Sequence, residues 1–395
     1  MPVIVDNEFH DLSAATALVA ERLVAPVEGM HSVISGRVFR YVGPPGAGVR
    51  AIHDTAVGGV YTAIRRTAGV LGAGAGALLA RRLPETRPIS TSRAGSGVQA
   101  ALNALWGDDL AARGNALAVS LSVRVDDQPV PPDRRALAAA YPDASDHIVV
   151  LLHGLGQTER CFQSSPGDGI VGVDDALRSE TGMTPVLVRY NSGRAVVDTG
   201  ADLAELIAVL SDNWPSADPR VSLLGYSMGG LVARSAYAAG IAAGHDWARR
   251  ARDLITIGAP HHGSPIAGAV RLGSRALRIA RTSRPLSDFL ETASAGIKDM
   301  EDGAAVARAW EKASAVPPRD SAGIRQHFVA AVVTGEPAHP FGVLVGDLVV
   351  RVSSASGHTL APDNVHVLGS RRHFDLLNDS NVVGQVAEWL TGAEQ

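Results

Sequence analysis

The run Val221–Leu224 followed by Gly225-Tyr226-Ser227-Met228-Gly229 constrains this chain more than any other stretch. It sets G-x-S-x-G between a buried-strand pattern and a helix that opens around Gly230-Leu-Val-Ala-Arg234. A serine at the apex of a tight strand-to-helix turn sits in a strained backbone geometry. Small residues two positions to either side let strand and helix approach each other there. The turn lifts the hydroxyl above the sheet, and the first turn of the helix offers unpaired N–H groups and a positive dipole end beside it. Ser227 is therefore the candidate nucleophile.

Other short apolar runs repeat the strand half of this pattern: His147–Leu152, Pro185–Arg189, Leu254–Ile257 and Phe328–Val333. Leu117–Val125 alternates in a β-like way and is expected to be an early antiparallel strand. Helical spacing separates the runs. Leu203, Leu206, Ile207 and Leu210 share one face, and Val382, Val386, Trp389 and Leu390 share another near the C-terminus. Strands alternating with helices predict an α/β fold with a mostly parallel sheet covered on both faces, and ligands at the carboxyl ends of its strands. Residues 1–112 differ in texture. They are rich in Ala, Gly and Arg, with Leu12, Val19 and Leu23 on one helical face and Val98, Leu102, Leu105 and Trp106 on another. The expected organisation is a helical N-terminal extension over 1–112 and an α/β domain over 113–395. Within the latter, Leu272, Ala276 and Ile279 keep helical spacing, and 266–325 is a candidate cap or lid insertion.

A hydroxyl becomes a useful nucleophile when a base takes its proton, and the base needs an orienting carboxylate. Of the thirteen histidines, His373 lies in Gly369-Ser-Arg-Arg-His-Phe374, directly after the apolar run Val365–Leu368 and ahead of a helix. That position is a strand-end loop late in the chain, where the order Ser, acid, His places the base. His366 falls inside the preceding run and reads as strand. His261 and His262 follow Leu254–Ile257 directly, but neighbours in a chain point different ways and no carboxylate sits at metal-ligand spacing. For the acid, Asp347 follows Phe328–Val333 by one short loop and is preferred over Asp363, while Asp375 comes after the base and breaks the order. An oxyanion hole needs two N–H groups aimed at developing negative charge. The loop His153-Gly154-Leu155-Gly156-Gln157 supplies one through Leu155, and Met228, the residue after the nucleophile, supplies the other. The side chain of His153 reads as a holder of that loop, not as the base.

Taken together, LLGYSMGGLVARS, VLLHGLGQ, LITIGAPHHGSP, the Gly346-Asp347 turn and RRHFDLLND resemble the serine lipases and esterases of the α/β-hydrolase superfamily. The likeness is to bacterial lipase-like members akin to the GPI inositol-deacylase group, and it spans about residues 147–391. It implies Ser227 as nucleophile, Asp347 as acid, His373 as base, and Leu155 with Met228 as oxyanion donors. It also implies an acyl-enzyme route on carboxylic esters with no cofactor. Tyr226 departs from the His that many such lipases carry at that place, which is not a catalytic position in the family.

Composition sharpens this reading by exclusion. A net charge of -4 gives no electrostatic reason to expect a nucleic-acid partner. The lone cysteine, Cys161, forbids an intrachain disulfide and a cysteine-cluster zinc site. The start Met1-Pro-Val-Ile-Val-Asp-Asn-Glu lacks the basic and apolar regions of a secretory signal, so a cytoplasmic protein is expected. Thr67–Ala80, bracketed by arginine pairs, is shorter than the roughly 20 residues a spanning helix needs. A helix packed within the protein is the expectation there, with peripheral membrane contact through the N-terminal region as the alternative. Its alternating Gly72–Ala77 lacks the spacing of a nucleotide loop. The substrate class expected is a small-molecule ester or lipid. An acyltransferase with the same residues, or a non-catalytic hydrolase-fold protein that binds lipid or membrane, are the competing readings.

Overall fold

The apolar runs form a single sheet in the computed structural model, which describes residues 92–164, 171–262, 294–302, 324–356 and 365–392 and isolated positions between 28 and 62. In chain order the described elements that matter below are α1 (Arg93–Ala112), β1 (Ser122–Val125), β2 (Gln128–Val130), α2 (Arg134–Ala140), β3 (His147–Leu152), α3 (Val173–Thr181), β4 (Thr184–Arg189), α4 (Val196–Asp212), β5 (Arg220–Tyr226), α5 (Met228–Ala243), β6 (Asp253–Ile257), α6 (Ala295–Asp302), β7 (Arg325–Ala331), α7 (Pro340–Val345), β8 (Val365–Leu368) and α8 (Ser380–Thr391). The strand order is β2-β1-β4-β3-β5-β6-β7-β8. β1 runs antiparallel to both β2 and β4, and the six strands from β4 to β8 are parallel. The expected early antiparallel strand is therefore present, shortened to its last four residues.

Period-two alternation divides the core. Ile148, Val150 and Leu152 of β3 join Leu203 and Ile207 of α4 and Leu231, Val232 and Ala236 of α5 on one face. Val149 and Leu151 join Leu177 of α3 and Val382, Val386 and Leu390 of α8 on the other. Both faces of β3 are buried along its length, which is why its sequence is a continuous apolar run and not an alternating one. Each of the five apolar β3 side chains, Ile148–Leu152, adds roughly 1.5–3 kcal/mol of burial.

Two expectations need correction. β7 begins at Arg325, earlier than the run Phe328–Val333 suggested, because Asp253 of β6 is buried opposite Arg325 in the register. Arg325 Nη2 donates to Asp253 Oδ2 at 3.0 Å and His327 Nε2 meets Oδ1 at 3.0 Å, so charged residues extend the strand. Val332 and Val333 have left the ladder and instead donate to Leu368 and Gly346 carbonyls. In α1 the apolar set does not share one buried face. Val98 is 58% and Leu105 45% exposed, while Ala100, Asn103, Ala104, Trp106 and Leu110 are buried. The helix kinks at Trp106, whose φ of -143° and ψ of 22° leave the helical region. Asn103 takes a buried place because its Oδ1 accepts from Val119 N–H at 2.9 Å.

The chain divides into two compact units. One comprises residues 1–99, 109–118 and 268–293. Of it the structure describes mainly the ends of α1, where Ser92 Oγ caps the helix by accepting from Gly95 N–H at 3.0 Å and Gln99 donates to the Leu117 carbonyl at 3.1 Å. The other, residues 100–108, 119–267 and 294–395, carries the sheet. Leu12, Val19, Leu23, Thr67–Ala80, Leu272, Ala276 and Ile279 lie outside the described residues, as does most of the candidate cap 266–325. Among the described residues no helix is long and apolar enough to cross a membrane.

Candidate active site

Ser227 stands between the last residue of β5 and the first of α5 with φ 53° and ψ -123°. A non-glycine residue there stores on the order of 1–3 kcal/mol of strain, and its surroundings must hold it. They do so on both sides: Ser227 N–H donates to the Ile257 carbonyl at 2.8 Å, and the Ser227 carbonyl accepts from Gly230 N–H at 3.0 Å. The flanking glycines permit the turn. A Cβ at Gly225 would collide with the backbone of Gly229 and Gly230, and one at Gly229 with the carbonyls of Leu152 and His153. None of these backbone atoms can swing aside, so G-x-S-x-G is a packing requirement here.

The structure brings the other two expected residues to this serine. His373 Nε2 lies 2.9 Å from Ser227 Oγ and His373 Nδ1 lies 2.7 Å from Asp347 Oδ2. All three are buried, at 5%, 3% and 1% exposure for Ser227, His373 and Asp347. Because a carboxylate only accepts, Nδ1 carries the proton and Nε2 presents its lone pair to the serine hydroxyl. Asp347 sits in the turn after α7. Its Oδ1 accepts from Val349 and Val350 N–H at 2.9 and 2.7 Å, and its backbone carbonyl accepts from His373 N–H at 3.1 Å. Asp347 and His373 are thus locked to each other through main chain as well as side chain. Asp375 is exposed and caps the following turn through Arg372 N–H at 2.9 Å. Asp363 lies outside the described residues.

Of the two expected oxyanion donors, Met228 follows Ser227 directly and Leu155 follows Gly154 in the loop after β3. Met228 is the first residue of α5, where an N–H has no intrahelical partner. Leu155 lies in the loop after β3, and a Cβ at its neighbour Gly154 would be 3.2 Å from Ser227 Cβ. Among the described residues neither the Leu155 nor the Met228 N–H has a hydrogen-bond partner in the protein.

His153 holds this loop. Its Nδ1 donates to the Gly154 carbonyl at 2.9 Å, its Nε2 accepts from Tyr190 N–H at 3.3 Å, and its ring stacks on Tyr190 at 4.2 Å. Burial lowers its pKa to about 4, so the ring is neutral and both nitrogens are committed. Just beyond, Glu159 and Arg189 form a fully buried bidentate pair at 2.5 and 2.6 Å. Burial alone would raise the Glu159 carboxyl, but the hydrogen bonds and charge of Arg189 hold it below its usual value. His261 is likewise occupied: Nδ1 accepts from Arg234 and Nε2 meets Thr256 Oγ1, each at 3.1 Å. Burial, then the charge of Arg234, holds His261 far below the ordinary histidine pKa. His366 is in β8.

With this geometry in view, the sequence model of the PGAP1-like alpha/beta domain matches residues 191–286, the stretch that contains the serine turn. The fold is that of an α/β hydrolase. The mature form of lipase BlEst2 from Bacillus licheniformis is similar at 19% identity, over 62% of this chain and 91% of that one, with a TM-score of 0.41. An esterase of Pyrococcus furiosus is similar at 15% identity, over 64% and 84%, with a TM-score of 0.38. A lipase-esterase related protein from Clostridium acetobutylicum aligns at 14% identity, over 63% and 95%, with a TM-score of 0.34. No curated protein matches the sequence.

One residue that the sequence presents only as a departure from the family pattern lies against His373. Tyr226 stacks on His373 with centroids 5.2 Å apart, and its hydroxyl donates to the His373 carbonyl at 3.0 Å. Burial pushes its phenol well above the ordinary tyrosine range, so it stays a donor. The only sequence signal for this was its place beside the serine.

Proposed function

We propose that the protein is a serine hydrolase that cleaves carboxylic esters through an acyl-enzyme. The observation that carries this reading is the continuous path from Ser227 Oγ through His373 to Asp347, with both hydrogen bonds at 2.9 Å or less and every member buried. In the first half, Ser227 Oγ bonds to the ester carbonyl carbon as its proton passes to His373 Nε2. Asp347 Oδ2 keeps Nδ1–H in place and stabilises the imidazolium. The carbonyl oxygen becomes an oxyanion that accepts from the N–H groups of Leu155 and Met228. Collapse expels the alcohol, which takes the proton from His373. Water then enters as the second nucleophile, gives its proton to His373 and releases the acid, and the proton returns to Ser227. No step calls for a metal or thiol.

A fluorophosphonate tests this reading. Folded wild-type protein is expected to acquire one adduct, located on Ser227, and Ser227→Ala none. Absence of an adduct on the wild type, or equal labelling of the variant, overturns it. A rate series over acyl length, with monomeric and micellar ester compared, then separates lipase from esterase. A jump in rate at the micellar transition marks the former.

A further inference from the structure

The loop Gly154-Leu155-Gly156 carries three successive N–H groups beside the nucleophile, and only a donor left unpaired serves an oxyanion. Two of the three are taken. Gly154 N–H donates to Gln157 Oε1 at 3.2 Å, and Gly156 N–H donates to Ser192 Oγ at 3.1 Å. The carbonyls are taken as well. That of Gly154 accepts from His153 Nδ1 at 2.9 Å and from Gln157 N–H at 3.2 Å, and that of His153 accepts from the Tyr190 hydroxyl at 2.5 Å. In a trans peptide the N–H points opposite to the C=O. Holding the Gly154 carbonyl toward His153 and Gln157 therefore turns the Leu155 N–H the other way, free of partners among the described residues.

Ser192 comes from the loop between β4 and α4, which is itself anchored. Asn191 Oδ1 accepts from Gly193 N–H at 3.0 Å, Asn191 Nδ2 donates to the Gly107 carbonyl at 2.8 Å, and the Gly193 carbonyl accepts from Gly296 N–H at 3.1 Å. A side chain at Gly107 would strike the Asn191 side chain, and one at Gly193 would strike the backbone of Asn103 and Gly107, so at Gly193 the two segments meet backbone to backbone. Ser192 itself is buried at 2% exposure and has little freedom to turn away.

We infer that Ser192 and Gln157 are positioning residues of the oxyanion hole, which accept the competing N–H groups of Gly156 and Gly154 and leave Leu155 as the donor offered to substrate. The inference rests on the ester-hydrolase reading. Neither residue touches the reacting atoms; each acts through the loop. Without Ser192 Oγ, the Gly156 N–H is unpaired and the Leu155–Gly156 peptide is free to rotate; it is joined through the Leu155 Cα to the peptide that bears the Leu155 N–H, so the aim of that donor loosens.

The test measures kcat and KM on a soluble p-nitrophenyl ester, with the binding of a trifluoromethyl ketone whose adduct bears an oxyanion. Ser192→Ala and Gln157→Ala are expected to lower kcat by about tenfold or more with KM little changed, short of the roughly 10²–10³ lost with an oxyanion donor itself. Ketone affinity falls in parallel. Ser192→Thr and Gln157→Glu, which keep an acceptor oxygen, restore most of kcat. A merely structural role would lower the melting temperature without splitting kcat from KM, or would give no rescue. If the wild type turns over ester and binds the ketone while both alanine variants match it, the positioning role is wrong and the hydrolase reading stands. If the wild type does neither, both fall.

Discussion

Asp347→Asn removes one oxygen's charge from the site and leaves its shape. The retained Oδ1 still accepts from Val349 and Val350 N–H, at 2.9 and 2.7 Å in the native structure, so the turn is kept. What changes is the atom 2.7 Å from His373 Nδ1, which becomes an amide nitrogen. Two N–H groups cannot face each other, so the imidazole moves its proton to Nε2. That nitrogen then meets Ser227 Oγ as a donor, and the lone pair needed to take the hydroxyl proton is gone. The loss is on the order of 10⁴ in kcat, or about 5 kcal/mol at roughly 1.4 kcal/mol per decade. Stability changes much less, by about 1–2 kcal/mol, because a charge-assisted bond is exchanged for a neutral one. The assay is initial-rate hydrolysis of a p-nitrophenyl ester beside urea unfolding of the same sample. A variant that keeps kcat within tenfold of wild type refutes the assignment of the acid. So does a collapse of kcat in Asp363→Asn while Asp347→Asn stays active.

Other expectations follow from the same contacts. Tyr226→Phe keeps the ring on His373 and removes the hydroxyl bond to its carbonyl; kcat is expected to fall severalfold and stability by about 1 kcal/mol, read by kinetics and thermal melting. Arg189→Met leaves Glu159 buried without its partner and is expected to destabilise by about 3–5 kcal/mol, with Glu159→Gln added in the same chain recovering part of it. A urea series in which the two variants are simply additive counts against the pair. His147 and His153 are both held to a pKa of about 4, chiefly by burial. Their folded values lie below the unfolded value of about 6.5, so the unfolded chain binds protons first as pH falls. Stability present above pH 6.5 is therefore lost between about pH 6.5 and 4, on the order of 3 kcal/mol for each group. Unfolding free energies measured from pH 7.5 to 4.5 check this, and a flat profile contradicts it. Gly229→Ala is expected to give no active, folded protein, since its Cβ meets two strand-end carbonyls.

The parts of this account that the sequence shows are those set by one-dimensional pattern. β3 appears at the bounds of its apolar run, because a strand buried on both faces writes its limits as a run of Val, Ile and Leu; β8 also keeps the bounds of its run, as a half-buried strand at the sheet edge. Ser227, Asp347 and His373 were legible because each follows an apolar run in the chain order expected of a serine, an acid and a histidine, and the structure draws their side chains together. What pairwise geometry decides was not legible. Asp253 is a buried carboxylate whose partners Arg325 and His327 lie far along the chain, so β7 looked shorter at its start than it is. Val98 and Leu105, seven residues apart, share the exposed face of α1, and the helix leaves regular geometry at Trp106, neither of which the apolar spacing reveals. Ser192 and Gln157 read as ordinary loop polars, since their worth lies in which N–H they occupy.

Rapid mixing of the protein with p-nitrophenyl acetate tests the central claim most directly, with acid quenching and mass spectrometry of the peptides. The account requires a burst of p-nitrophenol stoichiometric with protein and one acetyl group on Ser227, absent in Ser227→Ala and slowed by Asp347→Asn. Release of p-nitrophenol without acetylation of Ser227, or acetylation elsewhere that survives Ser227→Ala, contradicts it.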